Sequence, residues 1–67
     1  NNIRDYYGAI EDFTKAIKID PHDGMAYSNR GIVKIIIGQN ELGCMDLKIA
    51  SELGNSQAAE LMRKFCN

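Results

Sequence analysis

The sequence predicts an all-α fold, an α-solenoid of about four helices in antiparallel pairs, on three observations. Apolar residues recur at steps of three and four along most of the 67 residues. Proline and glycine break that rhythm at intervals fit for short helices. The chain also matches itself at a shift of 34 residues: Asp12 falls on Asp46, Ala16 on Ala50, Phe13 on Leu47, Ile19 on Leu53, Ala9 on Gly43 and Ile10 on Cys44. A period of about 34 residues is that of a two-helix solenoid unit.

The first helix is expected over 5–19, where Tyr6, Ala9, Ile10, Phe13, Ala16 and Ile17 form one stripe. Glu11, Asp12, Lys15 and Lys18 cover much of its other side. Pro21 stops it, because the residue before a proline is pushed out of the α region. Asp23 can cap a second helix over about 24–37, and Gly38 ends it as a C-cap glycine. A third helix runs from about 40 to 53 and stops at Gly54-Asn55. Ser56 is the expected cap of a fourth, with Ala58, Leu61, Met62 and Phe65 as its stripe. Ile35, Ile36 and Ile37 cannot all face one core, so at least one should be exposed.

Composition narrows the function. Eight Lys and Arg against nine Asp and Glu give a net charge of −1, which offers no field to attract nucleic acid. No apolar run approaches a membrane span, and nothing resembles a signal peptide, so no membrane partner is expected and a cytoplasmic setting is favoured. The chain starts without methionine, which suggests a piece of a longer protein. One histidine and two cysteines 22 residues apart are too few ligands for a structural metal site, and no cofactor is expected. His22 stands by Pro21 with no nucleophile or carboxylate placed to work with it, so it reads as an exposed loop residue and the chain as no enzyme.

The cysteines pose a geometric question. Helices three and four should run antiparallel about the turn at 54–55, which sets Cys44 level with about residue 65. Helix axes sit about 8–10 Å apart, whereas a disulfide needs Cα atoms within roughly 7 Å. Cys44 holds a core position, but Cys66 falls one residue past the apolar stripe. Two free thiols, with Cys44 a buried small hydrophobe, are the expectation.

Residues 24–55 resemble one whole tetratricopeptide repeat: Tyr27 at the usual aromatic position, Gly31, Gly43 and Ala50 at small positions, Leu47 at the large apolar one and Gly38 in the inter-helix turn. "DYYGAIEDFTKAIKIDP" over 5–21 is similar to the second helix of a preceding repeat with its closing proline. The resemblance implies a single domain over 1–67, with 5–20 ending one repeat, 24–54 a complete repeat and 56–66 a C-terminal capping helix. It places Gly31 where two helices come too close for a side chain. Arg30 and Lys34 stand where an idealised repeat has leucine and tyrosine, and are expected to snorkel along their aliphatic stems. Asn55 replaces the second proline. Phe65, 34 residues beyond Gly31, would block a further close approach and so end the array. "LGNSQAAELM" is also similar to the related Sel1-like repeats.

What the resemblance implies in function is a non-enzymatic protein-interaction module that holds a peptide or partner segment in a concave groove. The groove residues would be Met25, Ser28, Asn29, Ile32 and Ile36. "YSNR" is similar to the helix of chaperone co-factors that clamps the C-terminal carboxylate of heat-shock proteins, with Asn29 as amide donor and Arg63 near a clamp arginine, although Ala59 replaces a lysine. The plainer reading, Asn29 as an ordinary helix residue bonding a neighbouring turn, is preferred to a clamp. The alternative function is structural, with self-association as a homo-oligomer through the exposed side of the N-terminal helix and no peptide ligand.

Overall fold

Four helices form where the apolar rhythm predicts them: α1 Ile3–Ile19, α2 Gly24–Ile36, α3 Asn40–Glu52 and α4 Ser56–Phe65. The structure, a computed structural model, describes residues 2–66, so Asn1 and Asn67 of the expected domain lie outside the described residues. Among the described residues there is no strand.

Local chemistry fixes the helix ends. The Asn2 side chain accepts from the Arg4 N–H, so α1 starts two residues before the expected position. Asp23 caps α2 as its type and place predict, accepting from the Ala26 N–H at 3.2 Å. The cap of α4 corrects the reading of Ser56. Asn55 accepts from the Ala58 N–H at 3.0 Å, and Ser56 is the first helical residue. Asn55 thus closes one helix and opens the next, since its own N–H donates to the Ala50 carbonyl at 3.0 Å. Gly38 and Gly54 take φ of 92° and 97°, the left-handed conformation that lets the following N–H reach back five residues.

Each helix packs on its neighbours in the chain, α2 against α3 most extensively. The result is a slab of 29 × 28 × 15 Å, too thin to enclose much. Leu47, Ala50 and Ala58 are fully covered, and Tyr27, Ile32, Ile35, Leu61 and Met62 pack around them. At the centre of the α2–α3 contact two glycines face each other. A Cβ on Gly31 would lie 2.7 Å from the Gly43 carbonyl oxygen, and one on Gly43 2.6 Å from the Gly31 oxygen. The crossing is backbone on backbone. That explains a glycine inside α2, where helix propensity alone disfavours it by about 1 kcal/mol.

Arg30 and Lys34 do more than lay their stems along the surface, which corrects the snorkelling expectation. Both reach the buried Asp46 of α3. Arg30 donates to its two oxygens through Nε and Nη2, each at 2.8 Å, and Lys34 Nζ lies 3.0 Å from Oδ2. Arg30 Nη1 also donates to Thr14 Oγ1 of α1 at 3.2 Å, and that hydroxyl donates to the Ile10 carbonyl at 2.7 Å. The guanidinium stands 5.5 Å from the Tyr27 ring centroid. One arginine therefore joins three helices. The Asp46 hydrogen bond raises the Arg30 pKa against the opposing effect of burial, so the guanidinium stays charged.

The cysteines overturn the expectation of free thiols. Cys44 and Cys66 are joined, with Cα atoms 5.8 Å apart. The expectation failed because it extended α4 through residue 66. The helix ends at Phe65, and Cys66 takes φ −124° and ψ 36°, which turns it off the helical stripe toward α3. Cys44 is half-buried rather than in the core.

Candidate functional site

α2 and α4 lie on either side of α3's buried face and leave an apolar slot between them. Ile32, Ile35 and Ile36 of α2 form one wall, Leu61 and Phe65 of α4 the other, and Leu47 of α3 the floor. The cavity is about 290 Å³. Every lining side chain is a hydrocarbon. Ile36 and Phe65, 55% and 52% exposed, stand at its rim. Helical spacing produces this arrangement: Ile32 and Ile36 are one turn apart on α2, as are Leu61 and Phe65 on α4. Ala58 is fully buried one turn before Leu61 and seats α4 close enough to face α2.

Of the five predicted groove residues, Ile32 and Ile36 line the slot. Met25 is 68% exposed near the start of α2, and Asn29 is half-buried between them. Ser28 is a correction. It is 4% exposed, because the spacing 24, 28, 31 turns it toward α3 with Gly24 and Gly31, where no ligand can reach. Asn29 makes no side-chain hydrogen bond among the described residues, so the neighbouring-turn reading finds no support in its bonding. The slot has no cation along its wall, and a carboxylate would find no charge there. Arg63 of α4 is exposed and is not among the lining residues.

Sequence reasoning missed the contribution of Ile35, Leu61 and Phe65 to this site. Leu61 and Phe65 were read as one apolar stripe, and Phe65 as too large for a further close approach, but neither as a wall facing α2. That stripe was the available signal that both would face one partner.

A wider depression of about 520 Å³ shares Phe65 and spreads over α3 and α4 around the disulfide. It mixes Met45 and Met62 with Asn40, Glu41 and Lys48 and has no continuous apolar wall. Among the described residues no His, Cys, Asp or Glu group is placed to hold a metal ion. No described helix is long and apolar enough to cross a membrane. His22 is exposed in the α1–α2 loop, its N–H donating to Asp20 Oδ1 at 3.0 Å.

No family model matches the chain, and no solved structure matches it. Among curated proteins, the chain is similar to the protein STIP1 homolog of Dictyostelium discoideum, 38% identical over 50 residues. The match covers 75% of this chain but 9% of that protein, so what aligns is a small part of a much longer polypeptide.

Proposed function

We propose that this chain is a non-enzymatic protein-interaction module of the tetratricopeptide type, which seats apolar side chains of a partner segment between α2 and α4. The observation that carries the reading is the slot itself: six apolar residues from three helices around a cavity of about 290 Å³, with Ile36 and Phe65 standing exposed at its rim. A helix that offers apolar anchors at i and i+4 suits such a slot, and Asn29, one turn before Ile32 and half-buried, can hydrogen-bond the partner's backbone. The uncharged lining favours an apolar anchor over a terminal carboxylate. The similarity to the STIP1 homolog and the 34-residue internal period support the repeat reading. In this reading α4 is the capping helix and also supplies half the groove.

Selection of a random peptide display library on the immobilised protein tests the proposal. Recovered peptides should carry two or more apolar residues at helical spacing, and Ile36→Glu should abolish their binding while circular dichroism stays helical. Ile36 is exposed, so this variant should fold. Absence of enrichment, or peptides indifferent to Ile36→Glu, would refute the groove.

A further inference from the structure

The disulfide adjoins the α4 wall of the slot. Among the described residues, the slot and the wider depression around the disulfide have Phe65 alone in common. The Phe65 carbonyl oxygen lies 3.9 Å from Cys44 Sγ, and Cys66 is the next residue along the chain. Burial does little to hold this end of α4. Ala58, in the first turn, is the one residue of the helix that is buried, and Leu61 and Met62 are half-buried. Arg63, Lys64 and Phe65 are all exposed. The Cys66 N–H closes the last turn on the Met62 carbonyl at 2.8 Å. A helix of ten residues is shorter than the ~12–15 at which a free helix becomes even marginal in water, so this turn depends on what anchors residue 66. The anchor is Cys44 of α3, next to the Gly43 that is locked into the α2–α3 crossing.

We propose that the Cys44–Cys66 bond is a redox latch on the α4 wall: its reduction releases the last turn of α4, takes Phe65 from the slot and weakens binding there. The effect on binding rests on the groove reading above, whereas the release of the turn does not. Both cysteines are half-buried and line the depression of about 520 Å³. That volume falls within the roughly 300–1,000 Å³ of small-molecule pockets, so a small thiol reaches the sulfurs without entering the slot. The reductant is a pair of thiols, two glutathione molecules or one dithiol. The first thiolate attacks one sulfur of the bond, forms a mixed disulfide and expels the other cysteine as a thiolate. The second thiol displaces the first, and the two leave joined as a disulfide. The reductant thereby gives up two electrons, and its two protons end on Cys44 and Cys66 as thiols.

Amide exchange and peptide binding, each read before and after reduction with dithiothreitol, test the latch. The binding probe is a fluorescein-labelled, side-chain-stapled alanine-based helix with leucines at i and i+4. On reduction, exchange at Lys64, Phe65 and Cys66 should quicken about tenfold or more while α2 and α3 keep their protection. The peptide should then bind about tenfold or more weaker, the scale of one aromatic contact. Phe65→Ala should weaken binding to the oxidised chain by a similar factor and make it insensitive to dithiothreitol. Cys44→Ser with Cys66→Ser should bind as the reduced chain does. By reciprocity, saturating peptide should favour the disulfide by the same factor in a glutathione buffer, a shift of about 30 mV for each tenfold. The proposal is overturned if reduction leaves exchange at residues 64–66 unchanged, or if α2 and α3 lose protection together with α4. Equal affinity of the peptide for both redox states overturns it as well. A peptide that fails to bind the oxidised chain refutes the groove reading instead, and the exchange data then decide the latch.

Discussion

Replacing Gly31 with alanine sets helix propensity against packing, and the structure says which wins. Alanine in a helix interior gains about 1 kcal/mol over glycine. Here the added Cβ would lie 2.7 Å from the Gly43 carbonyl oxygen, 3.1 Å from Leu47 Cγ and 3.2 Å from Asp46 Cβ. The nearest obstacle is backbone, which cannot rotate away, and the third belongs to the carboxylate that holds Arg30 and Lys34. Relief requires α2 and α3 to separate, and overpacking of this kind costs about 1–3 kcal/mol before any loss at Asp46 is added. The net expectation is a loss of about 1–2 kcal/mol. At about 2.1 cal/mol/K per residue of unfolding entropy, that lowers Tm by about 7–14 °C. Gly8 supplies the control, since a Cβ there meets nothing within 4 Å. Gly8→Ala should therefore stabilise by about 0.5–1 kcal/mol. Thermal melts of the two variants by circular dichroism should move in opposite directions. If Gly31→Ala raises Tm as Gly8→Ala does, the backbone contact at the α2–α3 crossing is refuted.

Three further outcomes are expected. Asp46→Ala leaves Arg30 and Lys34, each 16% exposed, without their shared carboxylate, and should cost about 3 kcal/mol in urea titration. Cys66→Ser removes a link across 22 residues and should cost about 3 kcal/mol by the chain-entropy estimate; thiol titration of the unfolded wild-type chain should count no free cysteine before reduction. Asn55→Ala should lose about 1 kcal/mol and Ser56→Ala almost nothing, because the side chain of Asn55 is the one that caps α4.

The parts of the fold that were legible were those fixed by near neighbours along the chain. Pro21, Asp23 and Gly38 act on their own helix ends, and the stripe from Tyr6 to Ile17 needs only helical spacing to be seen. Gly31 was legible through the repeat, because a glycine inside a strong helical pattern asks for a close contact. The Arg30–Asp46 pair joins residues 16 apart on different helices, so it appears only once the crossing is built. The recurrence of aspartate at 12 and 46 was its one trace. The site was half legible. Ile32 and Ile36 followed from register, whereas Ser28 was misplaced by a fraction of a turn, and the α4 wall depended on where that helix would lie. The disulfide turned on the conformation of one residue past a helix end, which periodicity does not determine.

The Cys44–Cys66 bond also decides how the molecule bears load. It fastens the residue just beyond α4 to the first half of α3 and closes the 44–66 segment into a ring. Tension that reaches Cys66 from its C-terminal side therefore passes directly into α3 at Cys44. α4 is left slack inside the ring instead of being peeled away turn by turn. The wall formed by Leu61 and Phe65 would keep its place under a pull that strips an unlinked terminal helix, until the α2–α3 crossing itself gives way. In a single-molecule experiment, force entering from the C-terminal side would load the glycine crossing before the α4 wall of the slot.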